Sequence, residues 1–202
     1  MEKNTARLEA FSDGIFGVAI TLLAIEIGIK AYAQPTNENL WEHFKERWPE
    51  YFTFVNSFAT VLLVWMGHRR IIDQLRTVNH RIILVNGLLL MSVVFYPFPT
   101  RTVGTFINTP AANTATALYV IFTACITLSM FLLSLSILRH PRLLLQPEKS
   151  IPWFRKMIKG QLVGIACYGM AIATAFYAPL ISLGITFLLW ILWAFISKDE
   201  EE

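Results

Sequence analysis

The segment Arg7-Leu-Glu-Ala-Phe-Ser-Asp-Gly-Ile-Phe-Gly-Val-Ala-Ile-Thr-Leu-Leu-Ala-Ile-Glu-Ile27 decides how the chain reads. It is long and apolar enough to cross a bilayer, yet it holds an arginine, carboxylates and a Ser-Asp pair that lipid would penalise. At about 100° per residue, Ala10, Gly14, Gly17, Thr21, Ala24 and Gly28 form one stripe of small residues. Beside it runs an apolar stripe of Phe11, Ile15, Val18, Leu22, Ile25 and Ile29. The first stripe suits close helix packing; the second, on composition alone, suits lipid.

The rest of the chain is equally apolar. Of the 202 residues, 55% are hydrophobic and 15% charged, with a mean hydropathy of +0.52. This is the usage of an integral membrane protein. The apolar runs predict an all-α fold of six transmembrane helices, about 8–29, 51–67, 82–98, 114–138, 158–177 and 179–197, in one domain over 1–202. Helices are expected because lipid offers backbone amides no partner and the runs are too continuous for barrel strands. Pro179 marks the expected turn between the last two.

Counted over the loops, thirteen of the seventeen Lys and Arg fall on one side, which predicts that both termini are cytoplasmic. The net charge of +3 is then a matter of topology and gives no case for nucleic acid as a partner. The opening also imitates a secretory signal peptide, with Ala31-Tyr32-Ala33 as a small-residue site; Asp13 and Glu26 inside the stretch argue against cleavage. Cys125 and Cys167 lie within expected spans and read as packing. Leu40, Trp41, Phe44 and Trp48 predict an amphipathic interfacial helix, and Ile151 to Lys159 a second that anionic lipid could attract.

Asp13 lies about 9 Å deeper than Arg7, where an ionised carboxylate would cost roughly 2.5–3.5 kcal/mol without partners. Matching depths on the next two helices bring Trp65, His68 and Asn86 toward Ser12 and Asp13, with Arg7 nearby. A fully paired network that ties the helices together is the commonest way to tolerate such groups, and is preferred to a proton or cation site on Asp13 and His68. Glu26 is compatible with an interfacial position or with attracting cations to an entrance.

Arg7-x-x-x-Phe11-Ser12-Asp13 at the start of a first membrane helix, followed by Trp65-x-x-His68-Arg69 and Asn86, resembles the transmembrane protein 175 family of potassium channels. The chain is similar to the bacterial members, which carry one repeat and assemble as tetramers, over essentially its whole length. The resemblance implies a homotetramer in a bacterial inner membrane, permeable to K+ and other monovalent cations, with a pore lined by the first helix of each subunit. By position in the signature, the constriction would fall on Val18, Leu22 and Ile25, with Thr21 offering a hydroxyl between layers. This reverses the lipid-facing assignment of the aliphatic stripe. Val18 is smaller than the isoleucine or leucine expected at the first layer, which would move the narrowest point to Leu22 or Ile25.

Thr102-Val103-Gly104-Thr105-Phe106 begins like the carbonyl-lined filter of other potassium channels but lacks its second glycine and a preceding pore helix. It reads as coincidence. A proton-coupled secondary transporter using Asp13 and His68 is the competing class, though the chain has neither repeated halves nor paired broken helices. An enzyme is not expected: there is no nucleophile elbow, no phosphate loop and no His pair at helical spacing to bind a metal, and no cofactor is implied.

Overall fold

The computed structural model describes residues 2–25, 27 and 36–198. Among them the chain is helical throughout: α1 Glu2–Ile25, α2 Asn37–Glu46, α3 Trp48–Asp73, α4 His80–Phe95, α5 Pro97–Phe106, α6 Ala112–Leu138, a 3₁₀ turn at Pro141–Leu143, α7 Pro147–Ala175 and α8 Pro179–Lys198. Glu26, Gly28, Ile29, Ala31 to Ala33 and the acidic end Asp199 to Glu202 lie outside the described residues.

The starts follow from local chemistry. Thr36 and Asn39 form a reciprocal capping box at the head of α2, and the Asn79 side chain accepts from the Ile82 amide at 2.9 Å to open α4. Proline stands in the first turn of α3, α5, α7 and α8, where its missing N–H is no loss. The pair Pro97 and Pro99 also divides α4 from α5, so the third expected span, 82–98, is cut at Phe95.

The expectation of six membrane spans is corrected. Four passages are long and apolar enough to cross a membrane: Thr5–Ile25, His80–Phe106, Ala112–Leu138 and Pro147–Ala175. Helix α3 has the length, at 26 residues. It also carries Thr53, Asn56, Ser57 and Thr60 in mid-run and ends in His68-Arg69-Arg70, which together dilute its apolar character. The described apolar part of α8, Pro179–Ile191, falls short of the roughly 20 residues a span requires.

Helix α6 is the hub, packing against α7, α4, α5 and α8, while α3 lies between α1, α5 and α8. Tyr96, Tyr119, Phe16, Ile82, Leu89 and Leu133 are fully buried between them. Three glycines set close approaches. Gly104 brings α5 against α3, where an added Cβ would stand 3.2 Å from the Glu50 Cα. On α7, Gly160 and Gly164 form a notch for the Trp193 indole of α8, with an added Cβ 3.0 and 3.3 Å from the ring.

Helix α2 turns His43 inward and leaves Leu40, Trp41 and Phe44 exposed, so its apolar face points away from the bundle. The stretch Ile151 to Lys159, expected as a separate amphipathic piece, is the beginning of α7 and continuous with a membrane passage. At the same end, Leu75 and Leu144 form an antiparallel bridge. The Arg76 amide donates to Leu143 at 2.8 Å, the Leu145 amide to Gln74 at 2.9 Å, and the Ser150 hydroxyl to the Gln74 side chain at 2.7 Å. These bonds staple the α3–α4 connection to the start of α7.

Candidate functional site

Helix α1 buries one narrow face. Leu8, Ser12, Phe16, Ala19 and Leu23, at steps of four and three, pack into α3 and α4. The aliphatic ridge lies about a quarter turn away and is open: Phe11 is 63% exposed, Val18 55%, Leu22 37% and Ile25 73%, while Ile15 is half-buried. From Ala10 to Ala24 the small stripe is also uncovered, and a Cβ added at Gly14 or Gly17 would meet nothing within 4 Å. Thr21 is exposed and donates its hydroxyl proton to the Val18 carbonyl at 2.8 Å, which leaves its oxygen lone pairs outward.

Two anchors hold this helix. The first is fully buried and its proton order can be deduced. Ser12 donates to the Leu8 carbonyl at 2.8 Å, so its oxygen is left to accept from Asn86 Nδ2 at 3.0 Å. That orients the Asn86 carbonyl toward His68, whose Nε2–H donates to it at 2.7 Å. The amide orientation and tautomer are assigned from this network. Each hydrogen bond therefore runs one way, from α3 through α4 into α1. The His68 ring also tilts against Phe16 with centroids 5.5 Å apart.

The second anchor is on the exposed side, where Trp65 Nε1 donates to Asp13 Oδ1 at 2.8 Å and the Arg69 guanidinium lies over the Trp65 ring at 6.0 Å. Ser12, Asp13, Trp65, His68 and Asn86 thus come together at one level of the three helices. They do so as two separate contacts: Asp13 pairs with the indole and His68 with the amide. Arg7 and Phe11 stand exposed and take no part. Because Ser12 and Asp13 are consecutive, the two anchors grip α1 about 100° apart and fix both its depth and its rotation.

A second polar cluster was not found from the sequence. Asn56 Nδ2 donates to Tyr119 Oη at 2.9 Å and to Thr186 Oγ1 at 3.0 Å. Thr100 gives its proton to the Tyr96 carbonyl at 2.9 Å, so Ser57 donates to Thr100 at 2.8 Å and Tyr119 to Ser57 at 3.1 Å. By the same logic Thr123 donates to the Tyr119 carbonyl, and Tyr96 Oη donates to Thr123 at 2.9 Å. The cluster joins α3, α5, α6 and α8. Its signal was present as Thr53, Asn56, Ser57 and Thr60 at helical spacing on one face of α3.

The Thr102 to Phe106 segment is the helical last turn of α5, so its backbone is not the extended one of a carbonyl-lined filter. Among the described residues no three His, Cys, Asp or Glu side chains gather as a metal site.

The chain is similar to known proteins over most of its length. The family model described as endosomal/lysosomal potassium channel TMEM175 matches residues 7–97. A potassium channel of Chamaesiphon minutus is 33% identical across 98% of this chain and 97% of its own length. A potassium channel of Chryseobacterium sp. is 27% identical across 97% of this chain and 95% of its own. The crystal structure of a lysosomal potassium-selective channel TMEM175 homolog from Chamaesiphon minutus superposes with a TM-score of 0.86, at 32% identity over 96% of this chain and 97% of that one.

Proposed function

The chain belongs to the TMEM175 potassium-channel family, as its full-length likeness to the Chamaesiphon minutus channel shows, and on that premise we propose that it forms a potassium-permeable pore in a bacterial inner membrane. It is a multi-pass membrane protein and not an enzyme. In this reading four copies surround an axis, and each presents the α1 ridge to it. Val18, Leu22 and Ile25 then form three rings about 6 and 4.5 Å apart along the axis, with Thr21 between layers. Such a throat closes by dewetting and conducts K+ and other monovalent cations when wetted.

The observation that carries the reading is the pairing of a rigid anchor with an open ridge. Hydrogen bonds at Ser12 and Asp13 fix the rotation of α1, and Val18 follows Asp13 by five residues, about 7.5 Å along the helix. The ridge is therefore held at a defined angle, with Val18 and Ile25 more than half exposed and Leu22 partly so. The transporter alternative needs Asp13 and His68 to exchange a proton, and these two share no hydrogen bond, each being paired elsewhere.

Leu22→Ala and Ile25→Ala tested in a liposome potassium-flux assay are the direct check. Each variant is expected to raise flux severalfold by widening a ring and lowering the dewetting barrier. Unchanged flux in both would refute this pore face.

A further inference from the structure

We infer that the first four turns of α7 form a docking surface for the phosphate headgroups of anionic phospholipids. The start of α7 lies at a strongly basic end of the molecule. Residues 69–81 and 139–159 contain ten Lys and Arg against two carboxylates, Asp73 and Glu148. The Leu75–Leu144 bridge and the Ser150–Gln74 bond hold these two segments together.

Helix α7 spans 29 residues, about 43 Å, whereas the hydrocarbon core is about 30 Å thick. Part of it must stand in the headgroup region. The exposed face identifies which part: Arg155, Lys156 and Lys159 are outward, and one turn later Leu162 and Val163 are outward at 49% and 61% exposure. The change from cationic to apolar on one continuous face marks the level of the phosphates. A soluble polyanion would use the charges alone; the uninterrupted passage onto Leu162 and Val163 favours a ligand with an acyl chain attached.

The test titrates phosphatidylglycerol and phosphatidylcholine onto the purified, assembled protein and counts bound lipid by native mass spectrometry. The wild type is expected to prefer phosphatidylglycerol. Each neutralised cation should weaken that lipid about fivefold, which converts about 1 kcal/mol per basic side chain near a charged surface. Arg155→Gln, Lys156→Gln and Lys159→Gln combined should then lose about a hundredfold, while Arg101→Gln, outside these segments, should lose nothing. If the triple variant does not fold, Lys159→Gln alone still carries the fivefold expectation. Equal affinity for the two lipids in the wild type, or undiminished phosphatidylglycerol binding in the variants, overturns the proposal. Neither readout depends on ion flux, so the pore reading stands or falls separately.

Discussion

Asn86→Ala probes the anchor that holds the first helix. The side chain has two jobs: its carbonyl accepts the His68 Nε2–H at 2.7 Å and its amide donates to Ser12 at 3.0 Å. All three residues are at most 1% exposed, so no water reaches the groups left behind. Orphaning the buried imidazole N–H costs about 1–3 kcal/mol. Ser12 keeps its own bond to the Leu8 carbonyl, so its loss is only that of one incoming interhelical bond, about 0.6 kcal/mol by membrane-protein precedent. The variant should therefore be destabilised by about 2–3 kcal/mol. Ser12→Ala should cost about 1 kcal/mol, because it leaves the Asn86 amide short of an acceptor.

Since both substitutions break the same bond, the double variant should lose less than the sum, by about 0.5–1 kcal/mol. The assay is unfolding in mixed micelles followed by tryptophan fluorescence, with Trp65 as a reporter one turn from His68. Wild-type stability in Asn86→Ala, or strict additivity in the double variant, would refute a connected Ser12–Asn86–His68 chain.

Gly164→Val drives a branched side chain into the Trp193 indole, where a Cβ alone would already stand at 3.3 Å, and is expected to cost about 1–3 kcal/mol in the same assay. Gly17→Ala, with nothing within 4 Å of its Cβ, should leave the fold of the single chain intact or slightly stabilised, and any loss it causes should appear instead in cross-linked oligomer yield. Tyr119→Phe removes the acceptor of one Asn56 proton and the donor to Ser57, while Thr186 still serves the other Asn56 proton, so unfolding should come about 1–2 kcal/mol earlier.

The polar anchor was legible because antiparallel helices place residues of equal depth side by side, and Ser12, His68 and Asn86 meet on that rule. What depth cannot give is the direction in which a side chain leaves its helix. Ser12 points into the α3–α4 seam, and Asp13, one residue on, points a quarter turn aside to Trp65. The hydroxyl cluster around Tyr119 escaped notice because its members lie inside apolar runs and satisfy one another. The same residues explain the corrected span count, since Asn56 and its neighbours make α3 long yet too polar to stand as a membrane passage by composition. At Lys159 the sequence changes character within α7 without ending it, because the change reflects the surroundings of the helix, and the glycines that follow, Gly160 and Gly164, are packed against Trp193.

The most direct test of the account is whether Leu22 faces an axis shared by several subunits. Cys125 and Cys167 are first replaced by alanine, and Leu22→Cys is then recorded as single channels with Cd2+ added. A ring of thiols around the conduction path should bind the ion, and current should stop at micromolar Cd2+ and return when a chelator is added. Channels that carry the substitution and conduct unchanged through the same exposure would contradict the assignment of the α1 ridge to the pore.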